Sequence, residues 1–463
     1  MPHDNAPAPG SAPTPPPAGQ RPTWIRYEMV AMLFIASTLN YADRATLSIA
    51  GAPISQQYHL DAVAMGYVFS AFGWAYVIGQ LPGGWLLDRF GSKLVYGLSL
   101  LTWSVFTFLQ GFLGFFSAAS VVIGLFVLRF LLGLAEAPSF PANGRIVAAW
   151  FPKTERGTAS ALFNSAQYFA LVIFSPIMGW IVHHWGWQEV FWIMGGLGIL
   201  FTVVWFRRVF SPHQHPRINA AEFEHIQSGG GLVHLDQRSS TQSPAPKPQW
   251  SHIKALLGRR MLLGIYIGQY CITTLTYFFL TWFPVYLMQE RGMSILKAGA
   301  LASLPALSGF IGGVLGGVVS DHLLRRGSSL TLARKVPIVL GMLMSCSMIF
   351  CMGVKSEVVV VLLMSLAFFG KGFGALGWAV VSDTSPEEIA GLSGALFNTF
   401  GNIAGITTPI VIGYIVQTTG SFNGALVFVG ANAALAIVSY LFLVGKIERV
   451  VLAPSSSPQP TAT

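Results

Sequence analysis

Charged residues are scarce in this chain. Asp, Glu, Lys and Arg together make up 10% of its 463 residues, whereas hydrophobic residues make up 53%. A soluble globular domain carries about 25% charged residues, so the surface of such a domain could not be built from this composition. The sequence therefore excludes a soluble protein and indicates one that lies in a membrane.

Cysteine is also rare. Cys271, Cys346 and Cys351 all lie in apolar segments without paired or metal-ligand spacing. We interpret them as small core residues. The ten histidines lie mostly in predicted loops and tails and also lack ligand spacing. We therefore predict no metal and no other cofactor.

Long apolar stretches fill most of the chain. Each has roughly the 20 residues that cross a bilayer as a helix, and six lie in each half of the sequence. They lie near residues 28–50, 63–87, 94–114, 119–140, 157–182, 188–207, 261–289, 296–323, 336–354, 358–383, 389–416 and 424–445. Since they lack the alternation of barrel strands, we predict an all-α membrane protein with twelve transmembrane helices.

The two halves repeat one another. The sequence ALFN at residues 161–164 recurs at residues 395–398, and GWLLDR at residues 84–89 has a weaker counterpart, GVVSDH, at residues 317–322. Repeats of this kind are typical of transporters whose substrate binds between two similar bundles. We therefore predict two pseudo-symmetric six-helix bundles.

The polar segments set the predicted domain boundaries. A Pro- and Ala-rich N-terminal stretch lacks the apolar core of a cleaved signal peptide, and the linker between the bundles carries one short amphipathic helix near Glu222. The predicted parts are a disordered cytoplasmic tail at 1–25, bundles at 26–210 and 259–447, a cytoplasmic linker at 211–258 and a cytoplasmic tail at 448–463.

Lys and Arg are distributed unevenly across this topology. Of the 27, the tails and connections on one side carry 21, the opposite side carries Arg291, Lys297 and Lys355, and three lie within spans. Cytoplasmic loops are enriched in Lys and Arg, so both termini and the linker are predicted to be cytoplasmic. This placement argues against nucleic acid as the partner of a chain with a formal net charge of +9.

Five ionisable residues interrupt the apolar spans: Asp43, Arg44, Arg129, Glu136 and Lys371. A charge at the bilayer centre costs at least about 2.5–3.5 kcal/mol and usually marks a functional site. Arg44 and Arg129 are candidates for holding an anionic substrate, because a guanidinium binds a carboxylate through two hydrogen bonds. The alternative is a structural network in which the four charges of the N-terminal half neutralise one another. Lys371, between two glycines, is a candidate substrate ligand or a packing or gating element.

Asp43 and Glu136 are candidate proton-coupling residues. A carboxyl group that shares an arginine with an incoming anion gains or loses a proton as that anion arrives. This coupling would let a proton gradient drive uptake of a negatively charged solute.

Neutral polar residues at similar depth are further candidates for the substrate site. Gln167, Trp378 and Asn398 suit the hydroxyl groups of a sugar-like solute, and Tyr41 and Tyr76 offer hydroxyl groups of their own, although tyrosine in such spans also serves packing.

Charged residues also lie at span ends on the predicted cytoplasmic side. There an acid can meet helix dipoles and basic loops. Asp88, Arg89 and Asp321 are therefore predicted to hold one conformation shut rather than to contact substrate.

Several motifs resemble a known family. The sequence GWLLDRFGSK at residues 84–93 resembles the signature loop between the second and third helices of the major facilitator superfamily, with a weaker echo at residues 321–326. Residues 40–44 (NYADR), 129–141 (RFLLGLAEAPSFP) and 150–152 (WFP) are similar to the anion:cation symporter family within it. From about Trp24 to Leu452 the chain further resembles the D-glucarate permeases of that family, most closely at TWFPVY (281–286) and FGKGFGALGW (369–378).

The resemblance implies a proton-coupled symporter that imports D-glucarate, and galactarate or related sugar diacids, by alternating access. It implies a monomer in the bacterial inner membrane whose partners are a small organic dianion, protons and the lipid bilayer. It also implies that Asp43 and Glu136 are protonation sites and that Arg44 and Arg129 are their partners or substrate ligands. The residues that it implies line the substrate site are Tyr41, Tyr76, Gln167, Trp378 and Asn398. Three rival functions are a membrane-embedded enzyme, an open channel and a sensor that binds without transport, and we expect none of them.

Overall fold

Helices are the only regular elements in the part of the chain that the structure describes. This computed structural model describes residues 21–152, 155–236, 250–386 and 390–450. Outside the described residues lie the first 20 residues of the disordered tail predicted at 1–25, the Pro- and Ser-rich part of the linker at 237–249, and residues 451–463 of the predicted C-terminal tail. The prediction of an all-α protein is confirmed.

The N-terminal half contains seven helices: α1 Ile25–Tyr58, α2 Ala62–Phe90, α3 Ser92–Gln110, α4 Ala118–Glu136, α5 Ser139–Trp150, α6 Arg156–His184 and α7 Trp187–Arg208. The predicted span 119–140 is broken between α4 and α5 at Ala137 and Pro138. Proline has no backbone N–H to donate to the preceding turn and often ends or bends a helix.

The linker holds two short helices, α8 Ala220–Ser228 and α9 Trp250–Leu257. The first is the short helix expected near Glu222. Its Ile226 and the nearby Val233 are buried in a hydrophobic cluster of the N-terminal half. Residues 220–236 of the linker therefore pack on that half.

The C-terminal half contains eight helices: α10 Arg260–Tyr277, α11 Phe283–Gln289, α12 Ile295–Arg325, α13 Leu330–Ser345, α14 Glu357–Phe373, α15 Gly377–Thr384, α16 Ala390–Thr419 and α17 Asn423–Val438. A π-turn at Phe278–Trp282 joins α10 to α11 within one span. The span made of α14 and α15 is interrupted at residues 374–376, as the corresponding α4–α5 span is in the first half.

Eleven stretches of the described residues are long and apolar enough to cross a membrane. They do not include α1, whose 34 residues carry Asn40, Asp43 and Arg44 near the middle. At about 1.5 Å per residue, α1 is nevertheless longer than a bilayer is thick. Its role as the twelfth predicted span stays a prediction.

The two halves pack against each other at one end. We name the end that carries the termini and the linker the tail side, and the other end the far side. On the far side, a Cβ added at Gly66 would lie 2.7 Å from the carbonyl oxygen of Pro409, and one at Gly73 would lie 2.8 Å from that of Gly405. At Gly84, on the tail side of α2, no such atom lies within 4 Å. The halves are thus in contact on the far side, and a cavity lies between them towards the tail side.

Candidate functional site

A cavity of about 370 Å³ lies between the two halves, a volume within the usual range of small-molecule sites. Helices of both halves contribute to its wall, as expected for a substrate site shared by two repeats. Its lining residues are Tyr41, Arg44, Tyr76, Phe140, Asn164, Gln167, Tyr168, Gln269, Ile272, Thr273, Thr276, Tyr277, Leu280, Lys371, Ala375, Gly377, Trp378, Asn398, Gly401 and Asn402. Among the described residues that line the cavity, Arg44 and Lys371 are charged and none carries a carboxylate.

Arg44 holds its guanidinium between aromatic rings and one carboxylate. Its Cζ lies 4.5 to 5.1 Å from the ring centroids of Tyr41, Phe72 and Tyr76. Its Nε donates to Glu136 Oε1 at 2.6 Å, and its Nη2 donates to the same oxygen. Among the described residues, Nη1 has no hydrogen-bond partner. The group is fixed in place yet retains donors that an anion in the cavity can use.

The two carboxylates proposed for proton coupling lie behind Arg44 and do not line the cavity. Glu136 and Asp43 are both fully buried. Glu136 Oε2 and both carboxylate oxygens of Asp43 have no hydrogen-bond partner among the described residues. The charged groups of Glu136 and Arg129 are electrostatic neighbours of Asp43. Glu136 is paired with Arg44, whereas Asp43 has no ion-pair partner among the described residues, and an unpaired buried carboxylate is costly. The predicted role of the two carboxyl groups in proton coupling stays a prediction.

Arg129 holds the backbone of α1. Its Nη1 donates to the carbonyl oxygen of Asp43 and its Nη2 to that of Arg44, both at 3.1 Å. Arg129 is buried and is not part of the cavity wall. Arg129 thus holds the backbone at Asp43 and Arg44 from outside the cavity wall. Its role as a substrate ligand, predicted from the sequence, stays a prediction.

Lys371 lies in α14 of the second half and also lines the cavity. Its Nζ is 5.1 Å from the ring centroid of Phe368 and 5.4 Å from that of Tyr168. The residue is 5% exposed, and no hydrogen bond or ion pair to it is found among the described residues. Gly370 and Gly372 pack against neighbouring helices, and Lys371 between them lines the cavity. Its predicted role as a substrate ligand stays a prediction.

The neutral candidates named from sequence also lie at the cavity. Tyr41, Tyr76, Gln167, Trp378 and Asn398 all line it. Asn398 Nδ2 in addition donates to Gln80 Oε1 at 3.0 Å, and so links α16 to α2 across the two halves.

Sequence reasoning missed a polar stripe on α10. Gln269, Thr273 and Tyr277 line the cavity at four-residue spacing, and Tyr277 donates to Asn402 Oδ1 at 3.4 Å. Residues four apart share one face of a helix, so this spacing was a signal available in the sequence. Among the described residues no group of His, Cys, Asp and Glu is placed to hold a metal ion.

Comparisons with known proteins identify the family. The family model described as Major Facilitator Superfamily matches residues 33–334. The chain is 68% identical to the probable galactarate/D-glucarate transporter of Bacillus subtilis (strain 168), covering 94% of this chain and 95% of that protein. It is 62% identical to the probable galactarate/D-glucarate transporter of Escherichia coli (strain K12), covering 94% and 97%. The chain belongs to the major facilitator superfamily.

A solved structure shares this major facilitator fold. A bacterial homolog of the human lysosomal transporter Spinster, in an inward-facing and unoccupied conformation, matches with a TM-score of 0.65 at 17% identity, covering 91% of this chain and 95% of that one. The predicted superfamily and its fold are confirmed, and the chain is a membrane-embedded transporter rather than an enzyme.

The signature loop of the superfamily forms contacts within its own half. Asp88 Oδ1 lies 2.5 Å from Arg145 Nη1, and Arg145 also meets the linker residue Asp236 at 3.4 Å. The guanidinium of Arg89 lies 5.3 Å from the ring centroid of Trp85.

The corresponding acid of the second half is held in the same way. Asp321 lies 3.9 Å from Arg334, which also pairs with Asp383 at 2.8 Å. Asp88 and Asp321 thus each pair with an arginine of their own half in this tail-side-open conformation. Their predicted gating role stays a prediction.

Proposed function

We propose that this protein is a proton-coupled symporter that imports D-glucarate, and galactarate or related sugar diacids, by alternating access. The observation that carries the proposal is the position of Arg44, which lines a cavity between two repeated halves while its counter-ion Glu136 is buried behind it. The names of the 68% and 62% identical relatives supply the substrate class.

Arg44 accounts for binding of the first carboxylate. Its planar guanidinium can offer two parallel hydrogen bonds to a carboxylate, and Nη1 is not engaged by the described residues. The side-chain amide groups of Gln167, Gln269 and Asn402 also line the cavity. They match the chain of hydroxyl groups of an aldarate in both donors and acceptors.

The pair of Arg44 and Glu136 accounts for the coupling. A substrate carboxylate at Arg44 competes with Glu136 for the same positive charge, and an incoming proton neutralises the carboxylate that loses its partner. Asp43, equally buried, is the second proton site. Because binding free energies are reciprocal, a proton that favours substrate binding is itself bound more tightly when substrate is present.

Alternating access requires the far-side contacts to open. Those contacts are made by glycines of α2 and α16 and by Ser48 Oγ, which donates to the carbonyl oxygen of Thr281 at 3.0 Å. Buried Ala45, Tyr277, Leu280 and Ala404 form a cluster beside them. We place the tail side in the cytoplasm of a bacterial inner membrane, because Lys and Arg are concentrated there, so that this conformation faces inward. We propose a monomer as the working unit.

Transport by purified protein in liposomes tests the proposal. We expect saturable uptake of labelled D-glucarate that is stimulated by an inward proton gradient and abolished by Arg44→Ala. Arg207→Ala, at the exposed end of α7, is the matched control and should transport normally. Uptake that is indifferent to the proton gradient would remove the coupling. Non-saturating conductance would show a channel, and binding without uptake would show a sensor.

A further inference from the structure

Lys371 is a buried lysine to which no carboxylate of the described residues is paired. Its Nζ is near two aromatic rings, whereas Arg44 of the same cavity is paired with Glu136. Removing an ammonium group from water costs more than a cation–π contact restores. The described residues therefore leave the charge of Lys371 largely uncompensated.

The backbone around Lys371 fixes the direction of its side chain. A Cβ at Gly370 would meet the carbonyl oxygen of Gly341 in α13, and one at Gly372 would meet that of Gly309 in α12. Close helix contacts of this kind rely on residues without side chains. Since the two glycines hold α14 against its neighbours, the side chain between them is held at the cavity wall.

The two cations of the cavity come from opposite halves. Arg44 lies on α1 and Lys371 on α14, and the wall of the same cavity also carries amide side chains including Asn164, Gln167 and Gln269. A ligand that neutralises both cations needs an anionic group at each end and hydroxyl groups between them.

We infer that Lys371 binds the second carboxylate of the substrate and thereby selects sugar diacids over monoacids of the same carbon chain. This inference rests on the proposed function. It assigns the two ends of one diacid to the two halves of the transporter, so that an aldarate bridges α1 and α14, whereas an aldonate engages only one of the two cations.

Equilibrium binding of D-glucarate and D-gluconate to purified protein tests this assignment. Lys371→Gln should weaken glucarate binding about 10- to 100-fold, the loss of one charge-assisted interaction, and change gluconate binding less than about threefold. Lys371→Arg, which keeps a cation, should retain part of the preference for the diacid. Lys355→Gln, in an exposed loop, should leave both affinities unchanged.

Three results would overturn the assignment. If Lys371→Gln lost affinity equally for glucarate and gluconate, Lys371 would have a packing role. If this variant bound glucarate as tightly as wild type, Lys371 would not reach the substrate. Wild-type protein that binds neither ligand would instead overturn the proposed function, and the inference with it. Thermal unfolding of each variant checks its fold, and Lys371→Met, which keeps the length of the apolar chain, replaces the glutamine variant if that one does not fold.

Discussion

Arg44 and Glu136 form an ion pair in which only the arginine meets the cavity. Arg44 Nε lies 2.6 Å from Glu136 Oε1, and Glu136 is fully buried behind it. The second oxygen of Glu136 has no partner among the described residues. A substrate that binds Arg44 therefore changes the electrostatic environment of a carboxylate that it does not touch, and this is the relationship that proton coupling requires.

Glu136→Gln is expected to separate exchange from accumulation. The amide keeps the size of the side chain and an oxygen that accepts from Arg44, but it cannot bind and release a proton. Exchange of labelled for unlabelled glucarate should stay within about threefold of wild type, while gradient-driven accumulation should fall at least about tenfold. Counterflow measures exchange, and proton-driven uptake by the same proteoliposomes measures accumulation.

Asp43→Asn is the companion variant. The carboxylate of Asp43 is as buried as that of Glu136 and lacks a hydrogen-bond partner in the described part of the chain. We therefore expect this variant, too, to keep exchange and to lose gradient-driven accumulation. If both variants keep full gradient-driven accumulation, the proton is carried elsewhere.

Arg44→Lys is expected to lose most transport although it keeps the charge. An ammonium group cannot reproduce the planar group that binds a carboxylate through two bonds, and Nε and Nη2 of Arg44 both serve Glu136. Initial rates of glucarate uptake should fall about 100-fold or more. Arg207→Lys is the control. Near-normal uptake by Arg44→Lys would mean that only charge matters at this position.

The membrane fold could be predicted from hydropathy because bilayer thickness and backbone hydrogen bonding leave few alternatives. The local breaks within the transmembrane helices could not be predicted in this way. The span predicted at 261–289 contains the π-turn Phe278–Trp282, and the span at 358–383 is interrupted at residues 374–376. Average hydropathy over a span does not record where its hydrogen bonding changes, so these breaks become visible only in the three-dimensional structure.

The site could be predicted in part for a related reason. Charges inside apolar spans are conspicuous, and Arg44 and Lys371 both lie at the cavity. Helix periodicity places Arg129 on the same face as Glu136 but does not reveal that its donors are used by the backbone of α1. Gln269 and Thr273 were missed because a polar stripe in an apolar span carries no charge to draw attention to it.

Glu155 is expected to stabilise the tail side in a pH-dependent way. Partial burial raises the pKa of Glu155. The hydrogen bonds with His225 at 3.0 Å and Arg26 at 2.9 Å, together with the charges of these two residues, lower the pKa by more than burial raises it. The pKa of Glu155 is therefore below its ordinary value. A lowered folded-state pKa stabilises the protein above the ordinary pKa, and this contribution disappears as the pH falls through the lowered value.

The difference in unfolding temperature between wild type and Glu155→Gln should therefore be largest near neutral pH. It should shrink as the pH falls below about 4.3, the ordinary pKa of a glutamate. Thermal unfolding in detergent at a series of pH values measures it. A difference that grows on acidification would contradict the assignment.

Glu222 of the linker is expected to stabilise the start of α1. The residue before this helix, Trp24, provides no side-chain cap, and the buried carboxylate of Glu222 accepts from the backbone N–H groups of Ile25 at 2.9 Å and Arg26 at 3.1 Å. Such N–H groups have no partner within the helix itself. Glu222→Gln places an amide N–H₂ group against one of these donors and should cost about 1–3 kcal/mol.

Thermal unfolding measures this loss as a lower midpoint temperature. Glu224→Gln is the matched control, since Glu224 lies on the same short helix and is exposed. Equal midpoints for the two variants would show that the linker contact does not stabilise α1.

Gly73 is expected to control the balance between the two conformations. Its α-carbon packs so closely on α16 that an added Cβ would lie 2.8 Å from the carbonyl carbon and oxygen of Gly405, and backbone atoms cannot move aside as a flexible side chain can. Gly73→Ala should therefore push the far-side contact apart and favour the outward-open conformation. Spin labels on cysteines introduced at Gln56 and Thr418, both exposed on the far side, should report longer distances. Gly196→Ala, where nothing lies within 4 Å of the added atom, should leave the distances unchanged. If the two variants gave the same distances, packing at Gly73 would not hold the far side closed.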